Sequence, residues 1–289
     1  MDDTGNGYVI RRMERTELDF ALKLAATEGW NPGLRDADAF WAADPEGFHL
    51  GLLDGRPAAS ISAVRYLDED GAPALDFIGL YIVVPGLRGH GYGLRLWDHA
   101  LAGLKAPTVG LDSVLAQQDT YRKDGFEVSR RNCRYEGRFD AGKALPAGVR
   151  PLAEFPLAEA LAYDRRCFPA RREAFLRAWL TLPGHTALGL ERGGGLAGFG
   201  VIRPCGVGSK IGPLFADDDA AASALFQGLC ASAPLLPVYF DVPMPHAGAV
   251  RLAESHGMRP VFETGRMYRG PAPEIDLGRE FGVTSFELG

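Results

Sequence analysis

Apolar residues alternate with polar ones over Tyr8–Met13, which predicts a short strand. The spacing then becomes helical: Leu18, Leu22 and Ala25 share a face from Thr16 to Glu28, with Thr16 in the capping position. Gly29-Trp30-Asn31-Pro32-Gly33 ends that helix, and a second is expected from about Asp36 to Ala43. Two strand-like runs, Gly47–Leu53 and Pro57–Leu67, meet at Asp54-Gly55, a strong hairpin signal. Leu75–Val84 is almost wholly apolar, the pattern of a strand covered on both faces. A loop over Pro85–Gly93, a helix over Leu94–Leu104, a strand over Thr108–Val114, a helix over Gln117–Lys123 and a final strand pair within Phe126–Gly137 complete this half. The order is that of a mixed α/β fold.

Residues 138–150 carry Gly, Pro, Ala and charges without period and read as a linker. Beyond them the pattern repeats. Trp41, Leu50-Gly51-Leu52, Ala59 and Arg65 face Trp179, Leu188-Gly189-Leu190, Ala197 and Arg203 at a constant offset of 138. Further on the offset is 133, with Ile78-Gly79 facing Ile211-Gly212 and Tyr135-x-Gly137 facing Tyr268-x-Gly270. A shared register over whole strands predicts duplicated domains: 1–137 and 151–270, followed by a tail over 271–289.

Composition narrows the function classes. The chain has 289 residues, 46% hydrophobic and 24% charged, enough to bury a core in each half and unlike a disordered or fibrous chain. Thirty-one basic against 37 acidic residues give a formal charge of −6, which argues against a nucleic-acid or anionic-membrane binder. No apolar stretch is long enough to span a bilayer and no signal segment opens the chain, so a cytoplasmic protein is expected. Cys133, Cys167, Cys205 and Cys230 are scattered and read as reduced, packed thiols. With six histidines and no paired ligands, no metal is expected.

The chemistry concentrates in Tyr81-Ile-Val-Val-Pro-Gly-Leu-Arg-Gly-His-Gly-Tyr-Gly93. An apolar strand runs into a glycine-rich turn and then a helix N-terminus, where exposed amides and the helix dipole form a cradle for a pyrophosphate. A Walker loop is excluded because no Lys-Ser/Thr follows the glycines. The G-x-G-x-G spacing is not that of a dinucleotide fingerprint.

Arg88-x-x-Gly91-x-Gly93 after Val83-Val84-Pro85 resembles the acetyl-CoA loop of the GCN5-related N-acetyltransferases (GNATs). Tyr121, four residues before Gly125-Phe126, resembles that family's second signature. The likeness covers roughly residues 8–137, and the second half is similar to the companion domain of two-domain members. It implies two tandem GNAT-like domains, each a mixed, mostly antiparallel sheet flanked by helices. It further implies an acetyltransferase that moves the acetyl group of acetyl-CoA directly to a primary amine. Backbone of Ile82, Val83 and Val84 would hold the pantetheine and polarise the thioester carbonyl. Amides from Leu87 through Arg88, Gly89, His90, Gly91 and Tyr92 to Gly93 would take the pyrophosphate, the Arg88 side chain being either a contact or a solvated residue. Tyr121 would be the general acid on the departing thiolate, whether or not it also packs its helix on the sheet. Gln117 and Gln118 would touch pantetheine or simply cap the helix. A base is also required, with Glu28, Asp76 and Asp112 as candidates.

The acceptor pocket is expected around Glu28 and Trp30, unless Trp30 is a plug between domains. A pocket lined by Trp30 suits a small-molecule or peptide amine with an apolar or cationic portion. The second half has neither signature: Ala221, Ala224 and Phe226 face Arg88, Gly91 and Gly93, while Ala253 faces Tyr121. Asp217-Asp218-Asp219 stands where the first half has Val84-Pro85 and reads as a helix cap. Asp241, His246, Arg266 and Tyr268 are second-half candidates for the acceptor cleft. One active site in a monomer or homodimer follows, and the competing class is a CoA-binding sensor with weak turnover.

Overall fold

The computed structural model describes residues 7–289. β1 (Tyr8–Arg12) leads to α1 (Leu18–Thr27), α2 (Asp36–Ala43), β2 (Phe48–Leu53), β3 (Arg56–Leu67) and β4 (Pro73–Val83). α3 (Tyr92–Gly103), β5 (Val109–Val114), α4 (Gln118–Arg122) and β6 (Glu127–Gly137) follow. The second half repeats the plan with β7 (Val149–Pro151), α5 (Leu157–Cys167), α6 (Glu173–Thr181), β8 (Thr186–Arg192), β9 (Gly195–Pro204) and β10 (Ser209–Ala216). It continues with α7 (Asp219–Ala231), β11 (Val238–Pro243), α8 (Ala247–Ser255) and β12 (Arg259–Arg269), then adds β13 (Glu280–Gly282).

Two local expectations need correction. Thr16 does not cap α1. Glu14 and Glu17 close the preceding Arg15–Glu17 turn as a capping box, the Glu17 carboxylate accepting from the Glu14 amide at 2.9 Å. Phe126–Gly137 holds one long strand rather than a pair. In the second half Asp218 does cap α7, accepting from the Ala221 amide at 2.9 Å.

All the strands join one sheet, in the order β1-β2-β3-β4-β5-β12-β6-β11-β10-β9-β8-β7, with β13 added to β10. Among the described residues only β4–β5 and β10–β11 pair in parallel. The order shows that each half gives its last long strand to the other. β12 lies against β5, β6 lies against β11, and the two exchanged strands pair antiparallel at the centre. A buried two-pronged ion pair fixes each exchanged strand. Arg266 on β12 grips Asp112 on β5 at 2.9 and 2.6 Å, and Arg134 on β6 grips Asp241 on β11 at 2.6 and 2.8 Å. Such pairs add little net stability, but half of one left alone is costly, so they favour this register over a slipped one.

The two halves also share a core. Phe40 on α2 stacks on Trp179 of α6, with ring centres 6.2 Å apart and planes at 5°. Arg203 lies over the same indole while its guanidinium pairs with fully buried Asp36. The segment from 271 onward, read in the sequence as a tail, turns back into this seam. Glu280 pairs with Arg130, the Tyr66 hydroxyl donates to the Leu288 carbonyl at 3.0 Å, and residues 280–288 are buried.

Candidate active site

β4 and β5 pair only from Asp76–Ile78 to Val109–Leu111. Beyond that point both strands continue but diverge, leaving a V-shaped slot. β4 is already distorted there: Leu80 has φ 47, and the β3–β4 register slips between Ser60 and Ser62. The Ser60 hydroxyl donates to the Leu80 carbonyl at 2.7 Å and stabilises the bulge. Beyond it, the Val84 amide bonds to Ala58 and Ile82 pairs with Ser60, so alternation turns the backbone of Val83 toward the slot. This departs from the expectation for Ile82 and Val84: Ile82 and the Val84 amide face β3, and the Val84 carbonyl accepts from the Leu87 amide at 2.8 Å. The Val83 carbonyl accepts from the Arg88 Nε at 3.0 Å, and the same guanidinium pairs with Glu28. Arg88 thus reaches the slot mouth by its side chain, with Glu28 as its partner.

The loop beyond β4 makes a short turn at Pro85–Leu87 and enters α3 through Gly91. Gly91 has φ 82, a left-handed conformation, and a side chain there would enter open space. Outside α3, the Leu87 amide bonds to Val84 and the Arg88 amide to Pro85, while those of Gly89, His90 and Gly91 bond to no other described residue. The first-turn amides of α3, Tyr92 and Gly93 among them, have no intrahelical acceptor by geometry. The surroundings of this cradle therefore fit an anion. The Tyr92 ring is packed on Tyr8 at 4.8 Å, so only its backbone faces a ligand, and His90 Nδ1 lies 2.9 Å from the Arg88 carbonyl.

Inside the slot lies a narrow pocket that opens to solvent at its mouth. Trp30, β4 residues Gly79, Leu80 and Tyr81, and Tyr121 of α4 line it. Phe262 and Thr264 on the exchanged β12 contribute as well, with Phe286 and Glu287 from the C-terminal segment. Tyr121 packs on Trp97, ring centres 5.2 Å apart, and burial pushes its phenol up to about 12. Its hydroxyl forms no hydrogen bond with another described residue. Tyr121 therefore both packs its helix and presents a protonated phenol. Gln118 is half-buried, its Nε2 without a partner, while Gln117 is exposed.

The three carboxylates proposed as bases are all engaged. Asp76 accepts from the amides of Lys105 and Ala106 at 2.6 and 2.9 Å, outside this pocket. Asp112 lines the pocket but is bound to Arg266 and to the Asn132 amide. Burial opposes the Arg266 charge, yet Asp112 outweighs it and keeps the guanidinium above its ordinary range. Of the second-half candidates, Asp241 is paired with Arg134, His246 Nδ1 lies 3.0 Å from the Glu280 carbonyl, and Tyr268 is outside the pocket lining. Trp30 serves in two ways, since its ring lines the pocket while its carbonyl accepts from Arg134 at 2.7 Å across the seam.

The second half has the same divergence, β10 and β11 pairing only from Ser209–Ile211 to Val238–Phe240. Here the chain fills its own slot: β13 pairs with Leu214 and Phe215, and the Val283 amide bonds to the Asp241 carbonyl at 2.9 Å. Only the first half keeps an open slot beside a free phenol among the described residues.

Two family models match the chain: the acetyltransferase (GNAT) family over residues 15–126 and an acetyltransferase (GNAT) domain over 160–282. A holothin acyltransferase from Pseudoalteromonas sp. (strain SANK 73390) is 33% identical over 274 residues, spanning 94% of this chain and 92% of that protein. The chain belongs to the GNAT acyltransferases as a two-domain member. A putative acetyltransferase from Pyrococcus horikoshii superposes on this acyltransferase with a TM-score of 0.81 at 22% identity, covering 98% of this chain and 96% of that one. A tandem GNAT protein from the clavulanic acid biosynthesis pathway gives 0.62 at 14% identity, covering 92% and 99%. Both share the fold. No helix of the described residues is long and apolar enough to cross a membrane.

Phe262, Thr264, Phe286 and Glu287 were invisible to sequence reasoning. They lie more than 130 residues from Tyr121 along the chain, and no motif marks a strand that will cross between halves.

Proposed function

We propose that this acyltransferase moves an acetyl group from acetyl-CoA to the primary amine of a small, flat, largely apolar molecule, with residues 1–137 as the catalytic unit and 151–270 as its companion. The observation that carries the reading is the single open slot holding a Tyr121 phenol that is protonated and unpartnered. Acetyl-CoA, when bound, supplies an acyl group on a good leaving thiolate. The amides of Gly89, His90, Gly91 and the first turn of α3 would hold its pyrophosphate, and the Val83 backbone would align its pantetheine as an added strand. Tyr121 would donate its proton to the departing sulfur. Trp30, Phe262 and Phe286 supply flat apolar walls for the acceptor, and the holothin acyltransferase relative supports an acceptor such as holothin over a peptide. The four buried free thiols suit the reducing cytoplasm.

Calorimetric titration with acetyl-CoA, followed by thiol release with holothin, tryptamine and spermidine, tests this. One site per chain and turnover of the flat amines is the expected result. The absence of acetyl-CoA binding would overturn it.

A further inference from the structure

Two carboxylates line the pocket. Asp112 is locked to Arg266 and Asn132, whereas Glu287 is not locked to anything. Glu287 is 3% exposed, yet among the described residues its carboxylate accepts no hydrogen bond and forms no ion pair; only its amide is bonded, to Ser285 Oγ at 3.2 Å. A carboxylate so placed is costly unless something completes it. Three buried cations lie within electrostatic reach: Arg134 on β6, Arg203 on β9 and Lys210 on β10. The first two are occupied by Asp241 and Asp36, and the Lys210 ammonium donates to the Trp30 carbonyl at 3.5 Å. With Asp36 and Asp241, Glu287 balances this cluster charge for charge.

The fold takes pains to put Glu287 there. A Cβ on Gly79, in the middle of β4, would fall 2.0 Å from the Glu287 carbonyl oxygen. A Cβ on Gly212, the matching residue of β10, would fall 2.6 Å from the carbonyls of Val283 and Thr284. The C-terminal segment thus crosses both central strands at glycines that admit it, plugging one slot and lining the other. Ser285 Oγ, accepting from the amides of Glu287 and Leu288, and Tyr66, donating to the Leu288 carbonyl, secure its path.

We propose that Glu287 is the general base of the transfer, an inference that rests on the acetyltransferase reading above. One carboxylate oxygen takes a proton from the acceptor's ammonium group. The N–H bond breaks, an O–H bond forms, and the amine keeps the electron pair it needs for attack. The carboxylic acid then returns its proton to water, restoring the charge balance of the cluster.

The test is Glu287→Gln in the full chain, assayed with holothin and tryptamine across pH, beside acetyl-CoA calorimetry and thermal melting. The expected result is a kcat about 100-fold lower near neutral pH, recovery of turnover at alkaline pH where the acceptor amine is already free, and an acetyl-CoA Kd within twofold of the parent. Sodium formate should restore part of the turnover to Glu287→Ala. A variant that melts earlier but turns over within threefold of the parent, with the parental pH profile, would reduce Glu287 to a charge-balancing role and overturn the proposal. If Glu287→Gln fails to bind acetyl-CoA, Glu287→Asp decides: tenfold slower turnover supports the base and parental turnover refutes it. Failure of the acetyltransferase reading looks different, because the parent protein itself would then neither bind acetyl-CoA nor acetylate an amine, and both proposals fall together.

Discussion

As the proposed acid, Tyr121 has to be neutral to donate a proton, and burial raises its phenol to about 12. The acid form therefore dominates at every pH below that value, and no alkaline loss of kcat should arise from this group in the neutral range. Tyr121→Phe keeps the ring between Trp97 and Phe126 but removes the proton. We expect kcat to fall about 100-fold while calorimetry shows the acetyl-CoA affinity unchanged; undiminished turnover would leave Tyr121 a packing residue alone. His185 tests a different consequence of burial. Desolvation first, and the Arg203 charge second, lower its imidazole to about 4. The unfolded chain thus binds a proton between about pH 6.5 and 4 that the folded one refuses. Stability should be full above 6.5 and fall by about 3 kcal/mol as pH drops toward 4. Denaturant melts of the parent and His185→Gln measure this, the variant showing the flatter profile. At this scale Tyr121 was legible because a motif surrounds it. Glu287 was not, because a lone acid with no motif around it carries no signature in one dimension.

The strand, loop and helix from β4 to α3 act as a unit. An apolar run predicts a covered strand, Pro85 and the glycines end it, and the helix that follows brings unshielded amides to the turn. All of that is local chemistry, and it appears in the fold nearly where the pattern puts it; α3 begins at Tyr92 rather than Leu94. Gly91→Val should raise the acetyl-CoA Kd at least tenfold. The backbone at φ 82 resists a β-branched residue, and the added side chain enters the space the ligand needs. Parental affinity in the calorimeter would remove the loop from the site. β4 parts from β5 where Leu80 distorts it, and what the sequence leaves open is which strand fills the far side of β5.

Across the whole molecule, that far side belongs to β12, a strand from the other half. The hydrophobic pattern of Phe126–Gly137 and of its repeat is the same for a strand that stays home and one that crosses, because both meet equivalent neighbours. The exchange makes the halves interdependent. Heating should show one calorimetric transition, with the ratio of calorimetric to van't Hoff enthalpy near one; two separate transitions would contradict the shared sheet. Asp241→Ala strands the buried Arg134 guanidinium outside the lining of the slot, and chemical denaturation should show a loss of about 3–5 kcal/mol for the whole molecule.

The amino-acid sequence by itself determined the duplication, the order of elements within each half and the glycine-rich turn ahead of α3, and it marked Tyr121 as the proposed acid. These follow from periodicity, turn chemistry and spacing, which act over a few residues. The tertiary structure alone decided which strands are exchanged, that the C-terminal segment fills one slot and lines the other, and which carboxylate remains free. Those outcomes depend on burial and on competition among Arg–Asp pairs far apart in the chain, so they exist only once both halves have packed.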